Sequence, residues 1–346
     1  MQVTGLSAHF KISLIIINAG IVSAQTFPDA KVDSLIRKGI TLTLSAEYQE
    51  AKNTFKELEK EFPDLPAGKI FIISPHIAES SERMELEENE SIGAMIDEAE
   101  IAAEKYAAKN HGSIWANYFL GVSRGYSAYY RATKHKYLSA INEGYSSVKD
   151  FEKCIEADKN FYEAYIAVGT YKYWVSAKTE FINWLPFFSD EKELGTKLLE
   201  KAVGGNSYHF HLAIYSLCWV YISRDMYSKA LDLAEKALKF FPESKDFHFI
   251  KARVYSVDNP LKAAAELYKI RELFLQHGTL TTRNDFWVNF AIARNLNNGG
   301  KYSEALDRCN YILGYKPNEK YSEDLLDRIE RTKELKLEIL ENQRKK

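Results

Sequence analysis

The residues best able to do chemistry in this 346-residue chain are scattered along it. His209 and His211 come nearest to a metal pair, but on a helix side chains two positions apart point roughly 200° away from each other. No carboxylate or Cys stands at ligand spacing from them. The chain has no Gly-x-Ser-x-Gly elbow, phosphate loop, His-Glu-x-x-His or Cys-x-x-Cys, so acyl transfer, nucleotide hydrolysis, zinc hydrolysis and dithiol exchange lack their usual signatures. A non-enzymatic protein without metal or cofactor is expected. A formal net charge of −2 gives no general basic face for nucleic acid. Aromatic side chains are instead the notable resource. Phe181, Trp184, Phe187 and Phe188 crowd one short stretch, which folds onto its neighbours, forms a lid, or presents a hydrophobic docking patch.

The elements that position such residues are read from an internal repeat. Gly121 and Gly169 stand 48 residues apart, and Tyr118-Phe119-Leu120-Gly121 aligns with Tyr165 to Gly169 so that Tyr126 falls on Trp174, Phe151 on Leu199 and Cys154 on Ala202. A shorter string recurs three times: Tyr48, Ala51, Phe55, Leu58, Pro63; then Tyr227, Ala230, Ala234, Ala237, Pro242; then Tyr302, Ala305, Cys309, Ile312, Pro317. Apolar residues at helical spacing predict helices over 33–44, 48–62 and 92–109, with Pro63 as a stop. The partner of the 92–109 helix is expected within 69–80. Pro66, Gly68 and Pro75 break the pattern between them, and the acidic run from Glu82 to Glu90 reads as a solvated, mobile segment or else as a cation-binding or docking loop.

This grammar resembles the tetratricopeptide repeat (TPR), a helix-turn-helix unit of about 34 residues with small residues where its helices touch and a helix-ending Pro. The resemblance implies an all-α, right-handed superhelical solenoid of six or seven hairpins. Repeats start near Val32, Ile114, Tyr162, His211, Lys245 and Phe286. The two central repeats exceed the norm by about 14 residues, close to four helical turns, so the first can lengthen both helices without rotating their apolar faces. The second spends part of its surplus on the 181–188 stretch. Gly39, Gly121 and Gly169 fall where the paired helices come closest. Cys154, Cys218 and Cys309 fall at packing positions, which favours buried free thiols over a disulfide or metal role.

In that register the first helix of each repeat turns toward the inside of the superhelix Trp115, Tyr118 and Tyr126; then Ile166, Thr170, Tyr173 and Trp174; then Tyr215 and Trp219; then Phe249 and Arg253; then Trp287, Phe290 and Arg294. Aromatics with arginines offer contact area, stacking and bidentate anion recognition. The Lys and Asn set with which some TPR domains clamp acidic chaperone tails is absent.

Lys11 followed by an apolar run ending in Val22-Ser23-Ala24 reads as a signal peptide over 1–24. The expected plan is then an N-terminal hairpin over 25–65, an irregular acidic segment and degenerate repeat over 66–113, two elongated repeats over 114–210, three repeats over 211–319 and a charged capping helix over 320–346. An exported scaffold of the bacterial periplasm that binds a protein or peptide in its groove, with no stable membrane insertion after signal cleavage, is the leading expectation. The alternative is a periplasmic subunit for a small organic acid, similar to the TPR subunits of some solute-uptake systems.

Overall fold

The computed structural model describes residues 25–86, 89–178, 190–315 and 322–345. Residues 1–24 and the aromatic stretch with Phe181, Trp184, Phe187 and Phe188 lie outside them.

Sixteen helices follow one another among the described residues. The first hairpin pairs α1 (Ala30–Leu44) with α2 (Tyr48–Glu61), and two short helices, α3 (Ala67–Phe71) and α4 (Ile73–Glu82), precede α5 (Ser91–Lys109). Then come α6 (Ile114–Thr133) with α7 (Tyr137–Ala157), α8 (Tyr162–Lys178) with α9 (Lys192–Val203), and α10 (Phe210–Ser223) with α11 (Tyr227–Phe240). The last pairs are α12 (Lys245–Asp258) with α13 (Pro260–Gln276) and α14 (Thr282–Asn298) with α15 (Tyr302–Leu313), closed by α16 (Ser322–Arg344). Each hairpin packs on the next, so the core runs on along the array.

One turn recurs between paired helices. Ala46, His135, Asp225 and Gly300 take φ of 58°, 57°, 55° and 73°. The residue after each donates its backbone N–H to a carbonyl five positions back: Glu47 to Leu42 at 2.9 Å, Lys136 to Arg131 at 2.9 Å, Met226 to Tyr221 at 2.8 Å and Lys301 to Leu296 at 2.9 Å. This left-handed stop satisfies carbonyls that the helix end leaves open. Met84 (φ 57°) with Glu85 to Ser80 at 2.8 Å repeats it after α4. The pair α4 and α5 is therefore a repeat that shares the common turn before a longer connection. Pro66 and Pro75 do not interrupt helix here as their spacing implied. Pro66 precedes α3 and Pro75 lies in the first turn of α4, where a missing N–H breaks no helical hydrogen bond.

The lengths follow the expected surplus. The helices α6 and α7 run 20 and 21 residues against 14 each for α10 and α11. In the next repeat α8 has 17 residues and α9 only 12.

The acidic segment departs most from its sequence reading. The array curls so that the end of α4 meets the start of α14. The Asn284 amide donates to the Glu82 carbonyl at 2.8 Å and the Thr279 carbonyl at 2.8 Å, the Thr281 hydroxyl to the Arg83 carbonyl at 3.1 Å, and the Arg283 guanidinium to the Met84 carbonyl at 2.7 Å. The Glu82 carboxylate pairs with Lys245 at 2.9 Å. Residues 82–84 are thus a latch rather than a solvated tail, because the open carbonyls at a helix end are satisfied by side chains about 200 positions away. Asn284 is 1% exposed, so truncation leaves the buried Thr279 carbonyl and the half-buried Glu82 carbonyl short of a donor. Asn284→Ala is expected to cost about 2 kcal/mol and to accelerate amide exchange through residues 80–86, read by hydrogen-exchange mass spectrometry.

Candidate functional site: an aromatic ladder on three successive helices

Helix geometry sets the layout of the inner face. His211, Tyr215 and Trp219 recur at four-residue spacing on α10. Asp246, Phe249 and Arg253 share a face of α12, and Trp287, Phe290 and Arg294 share one on α14. Rings from the three helices meet in sequence. Tyr215 lies 6.2 Å from Trp219, Trp219 lies 5.9 Å from Phe249, and Phe249 lies 5.4 Å from Trp287, centroid to centroid. All four are half-buried, as is Phe290. The interplanar angles of 84°, 48° and 55° are edge-on and tilted arrangements that ring quadrupoles favour. The outcome is a continuous ladder whose rings keep one side toward solvent.

The ladder has a charged end and a crowded end. Arg253 and Arg294 are exposed, four residues beyond Phe249 and Phe290. Among the described residues Arg253 donates to the Ser256 hydroxyl, at 3.5 Å, and pairs with no carboxylate, whereas Arg37, Arg83, Arg124, Arg131, Arg224 and Arg271 each have a carboxylate partner. At the other end Asp246 is reachable by solvent yet flanked by protein. The crowding, followed by the nearby Glu82 carboxylate, raises its pKa to about 6 against the opposing pull of Lys245. Burial, then Asp246, pushes the Tyr215 hydroxyl up to about 12. Burial, then His209, depresses His211 to about 3.

The remaining expected groove residues are placed differently. Trp115, Tyr118 and Tyr173 are 9%, 0% and 2% exposed and belong to the core. Trp115 is covered by Phe27 at 4.8 Å and Phe161 at 5.5 Å. The chain's own segment before α1 thus occupies the face that the register left open. Tyr173 is tied through its hydroxyl to Ser223 and packs edge-on against the half-buried Trp174 at 5.2 Å. Tyr126 is half-buried against the first core cluster.

The histidine pair is also corrected. Its rings are 5.9 Å apart, not on opposite faces, because His209 precedes α10 with φ −103° and ψ 40° and so escapes helical geometry. His209 serves a structural pair missed in the sequence. Its ring nitrogen bonds the Glu163 carboxylate, its backbone N–H donates to the other Glu163 oxygen at 3.1 Å, and the Tyr118 hydroxyl donates to Glu163 at 3.4 Å. Among the described residues no three His, Cys, Asp or Glu side chains are grouped to hold a metal ion. Cys154, Cys218 and Cys309 are buried and free, and burial raises their thiols to about 12, 12 and 11.

No family model and no curated protein matches the chain. Solved structures do. The C-terminal part of a TPR repeat-containing protein from Cytophaga hutchinsonii aligns at 16% identity and a TM-score of 0.41, covering 85% of this chain and 99% of that one. The type IV pilus biogenesis factor PilW aligns at 14% identity and 0.48, over 72% and 97%. Yeast Tom70 aligns at 11% and 0.37, over 89% and 82%. The chain's own structure shows consecutive helix pairs, a shared left-handed turn and glycines at the helix contacts. It is an all-α solenoid of stacked helix hairpins. Within that array, the ladder lies on the first helices of three adjacent hairpins.

Proposed function

We propose that this chain is a non-enzymatic, exported scaffold that holds a protein or peptide segment against the ladder of Tyr215, Trp219, Phe249 and Trp287, with Arg253 and Arg294 engaging acidic or carbonyl groups at its edge. The observation that carries the reading is the half-exposed, ring-to-ring continuity across α10, α12 and α14. Rigid aromatic side chains beside exposed arginines are what binding hot spots are made of. The array supplies a stiff frame, since each hairpin is held by its neighbours.

Residues 1–24 supply the export signal in this reading, and a periplasmic chain beginning at Gln25 is expected by N-terminal sequencing. A full-length product retained in the cytoplasm would refute export. For the ladder, peptides selected from a random display library on the wild-type protein are expected to lose at least about tenfold in affinity on Trp219→Ala or Trp287→Ala. Thermal unfolding should stay near wild type, because both rings are only half-buried. Selected peptides that bind both variants as well as the wild type would remove the ladder from the function.

A further inference from the structure

The elongated hairpin carries a second exposed surface, unrelated to the ladder. Its helices have six or seven residues more than those of the α10 and α11 hairpin, so at 1.5 Å per residue its tip extends about 10 Å farther. On that tip Tyr137, Leu138, Ile141 and Tyr145 are 59%, 87%, 55% and 52% exposed, with Tyr129 at 48% beside them. Spacings of three, four, seven and eight residues put the four side chains of α7 along one side of the helix. Leu138 is the most exposed large apolar side chain of the described residues.

The charge around this stripe is segregated. Residues 131–149 hold Arg131, Lys134, Lys136 and Lys149 against the single carboxylate Glu143, in a chain whose net charge is −2. Lys134 and Lys149 also reach Glu90 and Glu152. The Lys149 and Glu152 side chains are 52% and 30% exposed, and pairs this open to solvent are weak and readily exchanged for another anion. Lys136 is exposed and has no carboxylate within ion-pair distance among the described residues.

We infer that the tip of the α6 and α7 hairpin is a peripheral membrane-docking surface that seats Tyr137, Leu138, Ile141 and Tyr145 among anionic lipid headgroups. Apolar and tyrosine side chains bordered by lysines suit the boundary between headgroups and acyl chains, where cations meet lipid phosphates and tyrosines keep their hydroxyls wet. The contact is peripheral, since no helix of the described residues is long and apolar enough to cross a membrane. A second copy of this chain fits less well, because two tips would set like charges against each other.

The test uses the full chain with Asn142→Cys carrying an environment-sensitive fluorophore. Asn142 is exposed beside the stripe and the three native thiols are buried, so the label reports this tip and not the N-terminal apolar run. Vesicles of phosphatidylcholine with about 30 mol% phosphatidylglycerol are expected to brighten and blue-shift the label, and pure phosphatidylcholine to do so weakly. Leu138→Glu with Ile141→Glu should weaken the response at least about tenfold, and Lys136→Glu should reduce the preference for anionic lipid. An unchanged label spectrum with anionic vesicles, or a full response from the double variant, would overturn the inference. So would concentration-dependent self-association in sedimentation that the double variant abolishes, which would give the surface to a second copy.

Discussion

Gly195→Ala is expected to destabilise the central hairpin by about 3 kcal/mol, at the upper end of what overpacking costs. A Cβ built on Gly195 stands 2.6 Å from the Tyr173 backbone nitrogen and 2.7 Å from the Gly169 carbonyl oxygen, and one built on Gly169 stands 2.9 Å from the Gly195 carbonyl oxygen. The two glycines therefore face each other where α8 crosses α9, and the obstacle is main chain on both sides. A ring can rotate away from an added methyl; a helix backbone moves only by parting the pair. Gly121 provides the comparison. The atoms nearest its Cβ all belong to the Phe151 ring, at 3.0 Å and beyond, so Gly121→Ala should cost about 1 kcal/mol, near the lower end of the same range. Urea unfolding followed by circular dichroism ranks the two, and hydrogen exchange should place the added opening in α8 and α9, because a repeat array transmits a defect mainly to its neighbours. Equal losses at both glycines would refute the backbone-contact argument.

Glu163→Ala should cost about 3 kcal/mol, because it leaves the Tyr118 hydroxyl and the His209 ring and backbone N–H without their acceptor. Glu163 is 5% exposed and holds together three separate parts of the chain: its own helix, Tyr118 of α6, and His209 ahead of α10. Its backbone N–H also donates to the Gln25 side-chain Oε1 at 3.2 Å. Burial alone would raise its pKa, but the charge and hydrogen bonds of His209 outweigh burial and lower it below the usual 4.5. A carboxylate with a depressed folded pKa stabilises above its unfolded pKa and loses that contribution as the pH falls through the folded value.

Two other groups act at higher pH and oppose each other. His211, depressed from 6.5 to about 3, withdraws stability as the pH falls below 6.5. Asp246, raised from 3.8 to about 6, returns stability as the pH falls from 6 toward 4. A shallow profile between pH 6.5 and 4.5 with a steep loss below 4.5 is therefore expected in chemical unfolding measured across pH. Glu163→Gln, which keeps an acceptor for His209 but cannot titrate, should make the steep limb shallower, leaving the part that His211 supplies down to about pH 3. If that limb survives unchanged in the glutamine variant, Glu163 is not its source.

The hairpin plan was legible in the sequence because its causes are local. Helical spacing of apolar residues, small residues at helix contacts and prolines at helix ends act within one repeat. The 48-residue spacing of Gly121 and Gly169 accordingly marked the enlarged hairpins. Signals for the latch were faint. Thr281-x-x-Asn284 is only a variant of the usual capping pattern, although it does form a capping box, and nothing near Glu82 points to a partner so distant. The register likewise chose candidate inner-face positions but not which of them meet solvent. The outcome at Trp115 and Tyr118 differs from that at Trp219 and Trp287 because Phe27 and Phe71 come to rest on the first pair.

By itself, then, the sequence determined a serial stack of helix pairs, since nearest-neighbour packing follows from each repeat's own pattern. Only the tertiary structure decided that the stack curls onto itself, that Phe27 and α3 cover the inner face at Trp115 and Tyr118, and that the aromatic ladder stays half-open on α10, α12 and α14. Those outcomes rest on contacts between residues as many as 202 positions apart, and short-range periodicity carries no record of them.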